Sequence, residues 1–234
     1  MNIYWLSEKI HSLTAEEETD ICAHLLSAQE NAVYRGLKVA KRRKEWLAGR
    51  LAIRKLIGKV KDVNEADISI LKKEQGAPVL VVRGKEDPGS ISISHSSQRV
   101  VVCYLDSNEG VGIDLEQVAP REDAFLRDYF TVGEQVWVTS GGADEQNLRL
   151  NLLWSAKESV LKCTGEGLHA DPLGISLVPE TQPAIIGGWR VITAHRMRNG
   201  IRRRWWVKWK IHQGMALTIC ASRLMDCVDL SDPE

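Results

Sequence analysis

Two carboxylates stand two residues apart in Gly110-Val111-Gly112-Ile113-Asp114-Leu115-Glu116, where branched aliphatic residues predict a strand. Alternate side chains of a strand share a face, so Asp114 and Glu116 project together, roughly 7 Å apart, while Ile113 and Leu115 face a core. Oxygen donors at that spacing suit a hard cation such as Mg²⁺. Glycines at 110 and 112 leave room for a backbone or a ligand to come close. The plain alternative is a solvated surface pair, because Asp-x-Glu at a strand end is common.

Trp154-Ser155-Ala156-Lys157-Glu158-Ser159-Val160-Leu161-Lys162 falls on a predicted long helix. Glu158 and Lys162 lie one turn apart on one face, with Trp154 a turn earlier. As an exposed ion pair they are worth only about 0.3–0.5 kcal/mol. As chemistry they lend a third carboxylate to a metal and a cation to a phosphate. In Ser90-Ile91-Ser92-Ile93-Ser94-His95-Ser96-Ser97 a strand breaks into a turn at His95. Its hydroxyl neighbours suit a nucleotide or phosphate contact, although a solvated loop histidine is the simpler reading. The remaining histidines (11, 24, 169, 195 and 212) show no ligand spacing, and no Walker loop, GxGxxG, HExxH or GxSxG is present.

These residues need elements to hold them. Ile3–Leu6 reads as an opening strand, and Thr14-Ala15-Glu16-Glu17 is a capping box that starts a helix running to about Ala28. A second helix is predicted from about Lys38 to Ile57, with Trp46, Leu47, Leu51, Ile53, Leu56 and Ile57 as its apolar stripe and Arg50 and Arg54 on another face. Strands follow at Ile68–Leu71, Val79–Val82, Ile91–Ser94, Val100–Leu105 and Val111–Glu116. The second half repeats this order: a capping box at Thr131-Val132-Gly133-Glu134, a helix from about Glu145 to Thr164, then strands near 174–178, 189–193, 204–210 and 215–221. Helices followed by strands, twice, predict an α+β protein of two similar halves, residues 1–109 and 110–234, with an acidic, frayed tail.

The chain has 234 residues, of which 44% are hydrophobic and 26% charged, which excludes global disorder and a coiled-coil rod. Lys plus Arg and Asp plus Glu each total 31, so a wholly basic nucleic-acid coat is excluded too. Zero net charge hides segregation. From Arg35 to Lys61 there are eleven basic residues and one acidic, Glu45; from Asp106 to Gln135 there are eight carboxylates and two arginines. From Thr181 to Met225 nine basic residues face no acidic one. A carboxylate-rich centre between basic segments suits a metal ion beside a polyanion. Five scattered cysteines without a CxxC pair, no bilayer-length apolar run and no signal-like start lead to the expectation of a cytoplasmic protein with free thiols, away from membranes.

Taken in order, Ile93-Ser94-His95, Val111 through Glu116, and Trp154 through Leu168 resemble the signature of the Sfp-type 4′-phosphopantetheinyl transferases. Trp46 through Leu56 and Gly76-Ala77-Pro78 also match, so the resemblance spans roughly residues 30–180. It implies two α+β halves with the active site at their junction. It implies Mg²⁺-dependent transfer of 4′-phosphopantetheine from coenzyme A to a serine of an apo acyl, polyketide or peptidyl carrier protein, releasing 3′,5′-ADP. By matching position, Asp114, Glu116 and Glu158 would bind Mg²⁺, and Glu158 would also help deprotonate the serine. Lys162 would stabilise charge on the transferring phosphate or on the leaving group. Arg50, Lys72, Ser94, His95, Asp114, Lys157 and Lys162 would surround coenzyme A, with Arg35 and Arg43 as further basic positions and Glu134 where some members carry a further carboxylate near the metal. Where many members have a lysine before the proline, this chain has Ala77, so that coenzyme A phosphate contact is either missing or supplied by Lys72 or Lys73. Two halves in one chain imply a monomer, and a basic or apolar surface should receive the carrier.

Two other functions compete. Arg202-Arg203-Arg204-Trp205-Trp206-Val207-Lys208-Trp209-Lys210 alternates cations with aromatics, as in a nucleic-acid-binding strand. However, Trp205, Val207 and Trp209 have strand period two and can face a core, leaving Trp206, Lys208 and Lys210 outside, so no nucleic-acid partner is expected. A coenzyme A-binding protein without turnover is the other, against which Asp114, Glu158 and Lys162 are all present.

Overall fold

A computed structural model describes residues 1–72, 76–166, 170–179, 185–198 and 200–233. Lys73 and the motif residues Gly167 and Leu168, with His169, lie outside the described residues. The chain forms two compact units, one of residues 1–109 with 226–234 and one of residues 110–225.

The first unit opens with β1 (Asn2–Lys9) and three helices, α1 (Ala15–His24), α2 (Ala28–Gly36) and α3 (Ala40–Lys61). Where the sequence predicts one helix to about Ala28, the chain breaks after His24 and starts again. The reason is a second capping box: Ser27 accepts from the Glu30 backbone, and Glu30 accepts from the Ser27 backbone. Strands β2 (Ile68–Lys72), β3 (Pro78–Val82) and β4 (Lys85–Glu86) form a small sheet; β5 (Ser90–Ser96) and β6 (Arg99–Leu105) join β1 in another. The helix α3 covers that second sheet: Ala52, Ile53, Leu56 and Ile57 pack with Leu6, Val100, Val102 and Tyr104, all buried. Each such aliphatic side chain contributes roughly 1.5–3 kcal/mol by leaving water.

The second unit contains β7 (Val111–Gln117), α4 (Asp123–Tyr129), α5 (Val132–Thr139), α6 (Ala143–Cys163), β8 (Ile175–Val178), β9 (Ile185–Ile186), β10 (Trp189–Arg198), β11 (Ile201–His212) and β12 (Met215–Ala221). Its sheet runs β7-β12-β11-β10-β8, with β9 on β10. The helix α6 covers one face, where Leu152, Leu153, Ala156 and Val160 meet Trp205, Val207, Trp209, Ala216 and Cys220. The tryptophans with period two are therefore core residues, as their spacing predicts. Lys208, expected outside, is buried as well.

The last strand, β13 (Asp226–Asp229), corrects the expected frayed tail and the 110–234 boundary. It pairs in parallel with β1, Leu230 donates to the Trp5 carbonyl, and Ser231 Oγ accepts from the Ser7 backbone. Asp232 then binds Lys55 and Lys59 of α3. Among the described residues no helix is long and apolar enough to cross a membrane.

Candidate active site

The helix α6 lies against β7 because β7 is bare there. A Cβ at Gly112 would sit 1.9 Å from the Ser159 carbonyl oxygen, and one at Gly110 1.9 Å from that of Cys163. The two glycines thus admit a backbone, of the two possibilities the sequence left open. On the same strand face, two and four residues on, come Asp114 and Glu116. The close approach brings the turn of α6 holding Glu158 and Lys162 to these carboxylates. Lys162 Nζ donates to Asp114 Oδ1 at 2.7 Å and to the Ile113 carbonyl at 3.1 Å.

Electrostatics mark Glu158 out. Burial first, and then the charge of Asp114, push its carboxyl up to about 7; Lys162 opposes the shift and Glu116 adds to it. Glu116 is also raised, by burial and then by Asp114, against Arg121. Carboxylates whose charges raise the proton affinity of Glu158 and Glu116 are the donor chemistry of a hard divalent cation. The expectation that all three meet around one point is not what the side chains do. Among the described residues no three His, Cys, Asp or Glu groups gather as metal ligands. Asp114 turns to Lys162, and Glu116 accepts from Arg121 Nη2 at 2.8 Å, each going to the nearest positive charge.

Arg121 is the residue the sequence reading missed. It also donates to Asn151 Oδ1 at 2.7 Å and stacks on Phe125, which fixes the guanidinium beside Glu116. The available signal was its isolation as one of two arginines in the acidic segment. Trp154, a turn before Glu158, packs into a cluster with Phe125, Tyr129 and Phe130.

Lys157 and Glu134 are corrections. Lys157 follows the next helical direction, away from β7, and is fully buried. Its Nζ donates to Glu134 Oε2 at 2.9 Å, the Tyr129 carbonyl at 2.9 Å and the Pro172 carbonyl at 3.0 Å. All its donors are spent, so it has none for coenzyme A. Glu134 is equally occupied: it accepts from Lys157, from the Thr131 backbone at 2.8 Å and from the Leu177 backbone at 2.7 Å. It belongs to the core, not to the carboxylates of β7.

The first unit places the other named residues. His95 is exposed at the end of β5, with Nδ1 3.8 Å from Glu45 Oε1 of α3. Helix and strand come together there because Gly49 leaves room for Ile93, whose Cγ2 would be 3.0 Å from a Cβ at 49. Glu45, the lone acid of the basic segment, is thus a histidine neighbour that the sequence reading did not use. Ser94 is buried beside His95. Arg50 stacks 4.2 Å over Trp46 and its Nε is buried without a partner among the described residues. Burial, partly offset by Glu30, lowers its guanidinium to about 10, still charged at neutral pH. Lys72 is exposed at the end of β2. Arg35 is exposed, whereas Arg43 is paired with Glu18 and stacked on Tyr34.

Residues 110–220 match the 4′-phosphopantetheinyl transferase superfamily. Similar proteins include the 4′-phosphopantetheinyl transferase HetI of Nostoc sp., 28% identical over 78% of this chain and 80% of its own length. The transferase ffp of Bacillus subtilis is 29% identical over 66% of each chain. The transferase Sfp of Bacillus subtilis is 30% identical over 59% of this chain and 61% of its own. The chain thus spans between about three fifths and four fifths of these relatives.

Proposed function

We propose that this chain is a 4′-phosphopantetheinyl transferase, like the superfamily that its residues 110–220 match and the relatives it resembles, and that it moves 4′-phosphopantetheine from coenzyme A to a serine of an apo carrier protein, leaving 3′,5′-ADP. The observation that carries the reading is the Lys162–Asp114 ion pair inside the matched segment, with Glu158 under the charges of Asp114 and Glu116. Asp114, Glu116 and Glu158 would hold Mg²⁺, which supplies charge neutralisation to the pyrophosphate when bound. Phosphoryl transfer asks mainly for positioning and charge compensation, so no covalent intermediate on the protein is required.

Each residue then has a task set by its surroundings. Lys162, held beside Asp114, offers its ammonium to the phosphate that changes hands. Glu158, whose carboxyl takes up a proton at about 7, suits a group that accepts the serine proton near neutral pH, directly or through a water. Arg50, Lys72, Ser94 and His95 would contact the phosphates and nucleotide of coenzyme A, Arg50 with a guanidinium pre-oriented by Trp46. We place the reaction in the cytoplasm, where coenzyme A and carrier proteins meet.

A binding function for nucleic acid is not favoured, because the alternating tryptophans are in the core. The test is intact-protein mass spectrometry of a panel of apo acyl, polyketide and peptidyl carrier proteins incubated with this protein, coenzyme A and Mg²⁺. One panel member should gain a phosphopantetheine, and EDTA should prevent it. No mass gain on any carrier refutes the reading.

A further inference from the structure

Arg202-Arg203-Arg204 has no part in the chemistry above. It lies on the β10–β11 hairpin, and that hairpin outruns its sheet. β10 pairs with β8 only as far as Arg196↔Ile175, and β11 pairs with β12 only from Trp206↔Ala221. The pairs Met197↔Arg202 and Arg198↔Ile201 therefore stand beyond both neighbouring strands as a two-stranded arm. Such an arm has little burial of its own and shows both faces to its surroundings.

Its side chains are unbalanced. Arg202 on the arm and Arg203 and Arg204 at its root, opposite Arg196 and His195, are exposed, and none has an ion-pair partner among the described residues. Met197 and Ile201 are each 62% exposed, one on each face of the arm. After burial, the charges of Arg202 and Arg204 hold the His195 imidazole below its usual range, as an uncompensated positive field must. The root of the arm is anchored where α6 ends. Arg196, opposite Arg203, binds Glu166, four residues after Lys162 and just past the end of α6.

Exposed cations mixed with aliphatic side chains suit an acidic protein surface. Single-stranded nucleic acid would need rings on which to stack, but Trp205 and Trp209 are buried and Trp206 is half-buried under Arg204. The proposed reaction has one macromolecular substrate, and it must reach α6. Resting on that transferase reading, we infer that the β10–β11 arm docks the apo carrier protein through an acidic face of the carrier.

The test uses the full chain and a carrier that the wild-type protein modifies. The charge-reversal variant R202E/R203E/R204E should raise the carrier KM about tenfold or more, with kcat and the KM for coenzyme A unchanged. Added salt should weaken wild-type kcat/KM for the carrier, and the variant should lose that dependence. R202Q/R203Q/R204Q, which leaves the arm neutral, should fall between the two. An unchanged carrier KM in the folded charge-reversal variant overturns the inference. A raised KM for coenzyme A instead also overturns it, by giving the arm to the nucleotide. Arginine-dependent binding of an RNA oligonucleotide with normal carrier kinetics overturns it in favour of nucleic acid. If the wild-type protein modifies no carrier at all, the transferase reading falls first and the docking inference with it.

Discussion

The two units share a buried device and differ in what stands beside it. In the first, Glu30 is the third helical residue of a capping box; its Oε1 accepts from the Ile70 backbone at 3.1 Å and its Oε2 from Arg54 of the long helix at 2.6 Å. In the second, Glu134 has the same place in its capping box, accepts from the Leu177 backbone at 2.7 Å and takes Lys157 of the long helix at 2.9 Å. One carboxylate thus ties a short helix, the first strand after the long helix, and the long helix itself. Elsewhere the first unit holds a balanced cluster, Glu8 and Asp232 against Lys55 and Lys59. The second does not, setting Asp114, Glu116 and Glu158 against Lys162 and Arg121, and Glu158 is pushed to about 7. The excess negative charge is what separates a candidate catalytic site from a structural ion cluster.

The largest effect expected from breaking this contrast is at the unbalanced cluster. Asp114→Ala or Glu158→Ala should lower transfer at least 100-fold, read by carrier mass gain, with unchanged circular dichroism. Near-normal turnover in either variant would remove the metal and proton roles assigned to β7 and α6.

The shared device should answer in stability. Glu134→Ala or Glu30→Ala leaves a buried cation and a strand N–H without their acceptor, and should cost about 3–5 kcal/mol in urea unfolding. Adding Lys157→Met to Glu134→Ala should recover part of that loss. Were Lys157 a coenzyme A ligand, Lys157→Met alone would raise the KM for coenzyme A; on the structure it should leave that KM near normal.

His95→Ala should raise the KM for coenzyme A more than it lowers kcat, by several-fold, consistent with loss of one exposed contact. An unchanged KM would take His95 out of the nucleotide site.

The smallest effect is in pH dependence. Glu158 in the folded, metal-free protein holds its proton up to about 7, against 4.5 for the ordinary carboxyl. Between those values the folded state binds more protons than the unfolded state, so stability should decline as pH rises through that window. Urea midpoints in EDTA at pH 5 and pH 7 should show the decline in wild type and a smaller one in Glu158→Gln. Mg²⁺ should reduce it as well, since a bound cation favours the ionised cluster. Equal slopes in wild type and variant would show that neither burial nor Asp114 raises the Glu158 carboxyl.

Much of this could be read from local pattern. Periodicity and capping boxes at Thr14 and Thr131 locate the long helices and most strands, because both depend on contacts a few residues apart. Alternation alone puts Asp114 with Glu116 and buries Trp205, Val207 and Trp209. Tertiary structure decided the rest, through partners distant in the chain. Lys157 and Glu158 are adjacent in sequence, yet about 100° of helical rotation sends one to Glu134 in the core and the other to Asp114. The glycines at 110 and 112 announce a close approach, but only packing shows that α6 makes it. The tail reads as loose until β13 finds β1 more than two hundred residues away. Sequence fixes which groups a face carries; which opposite charge that face meets depends on the packing of elements far apart in the chain.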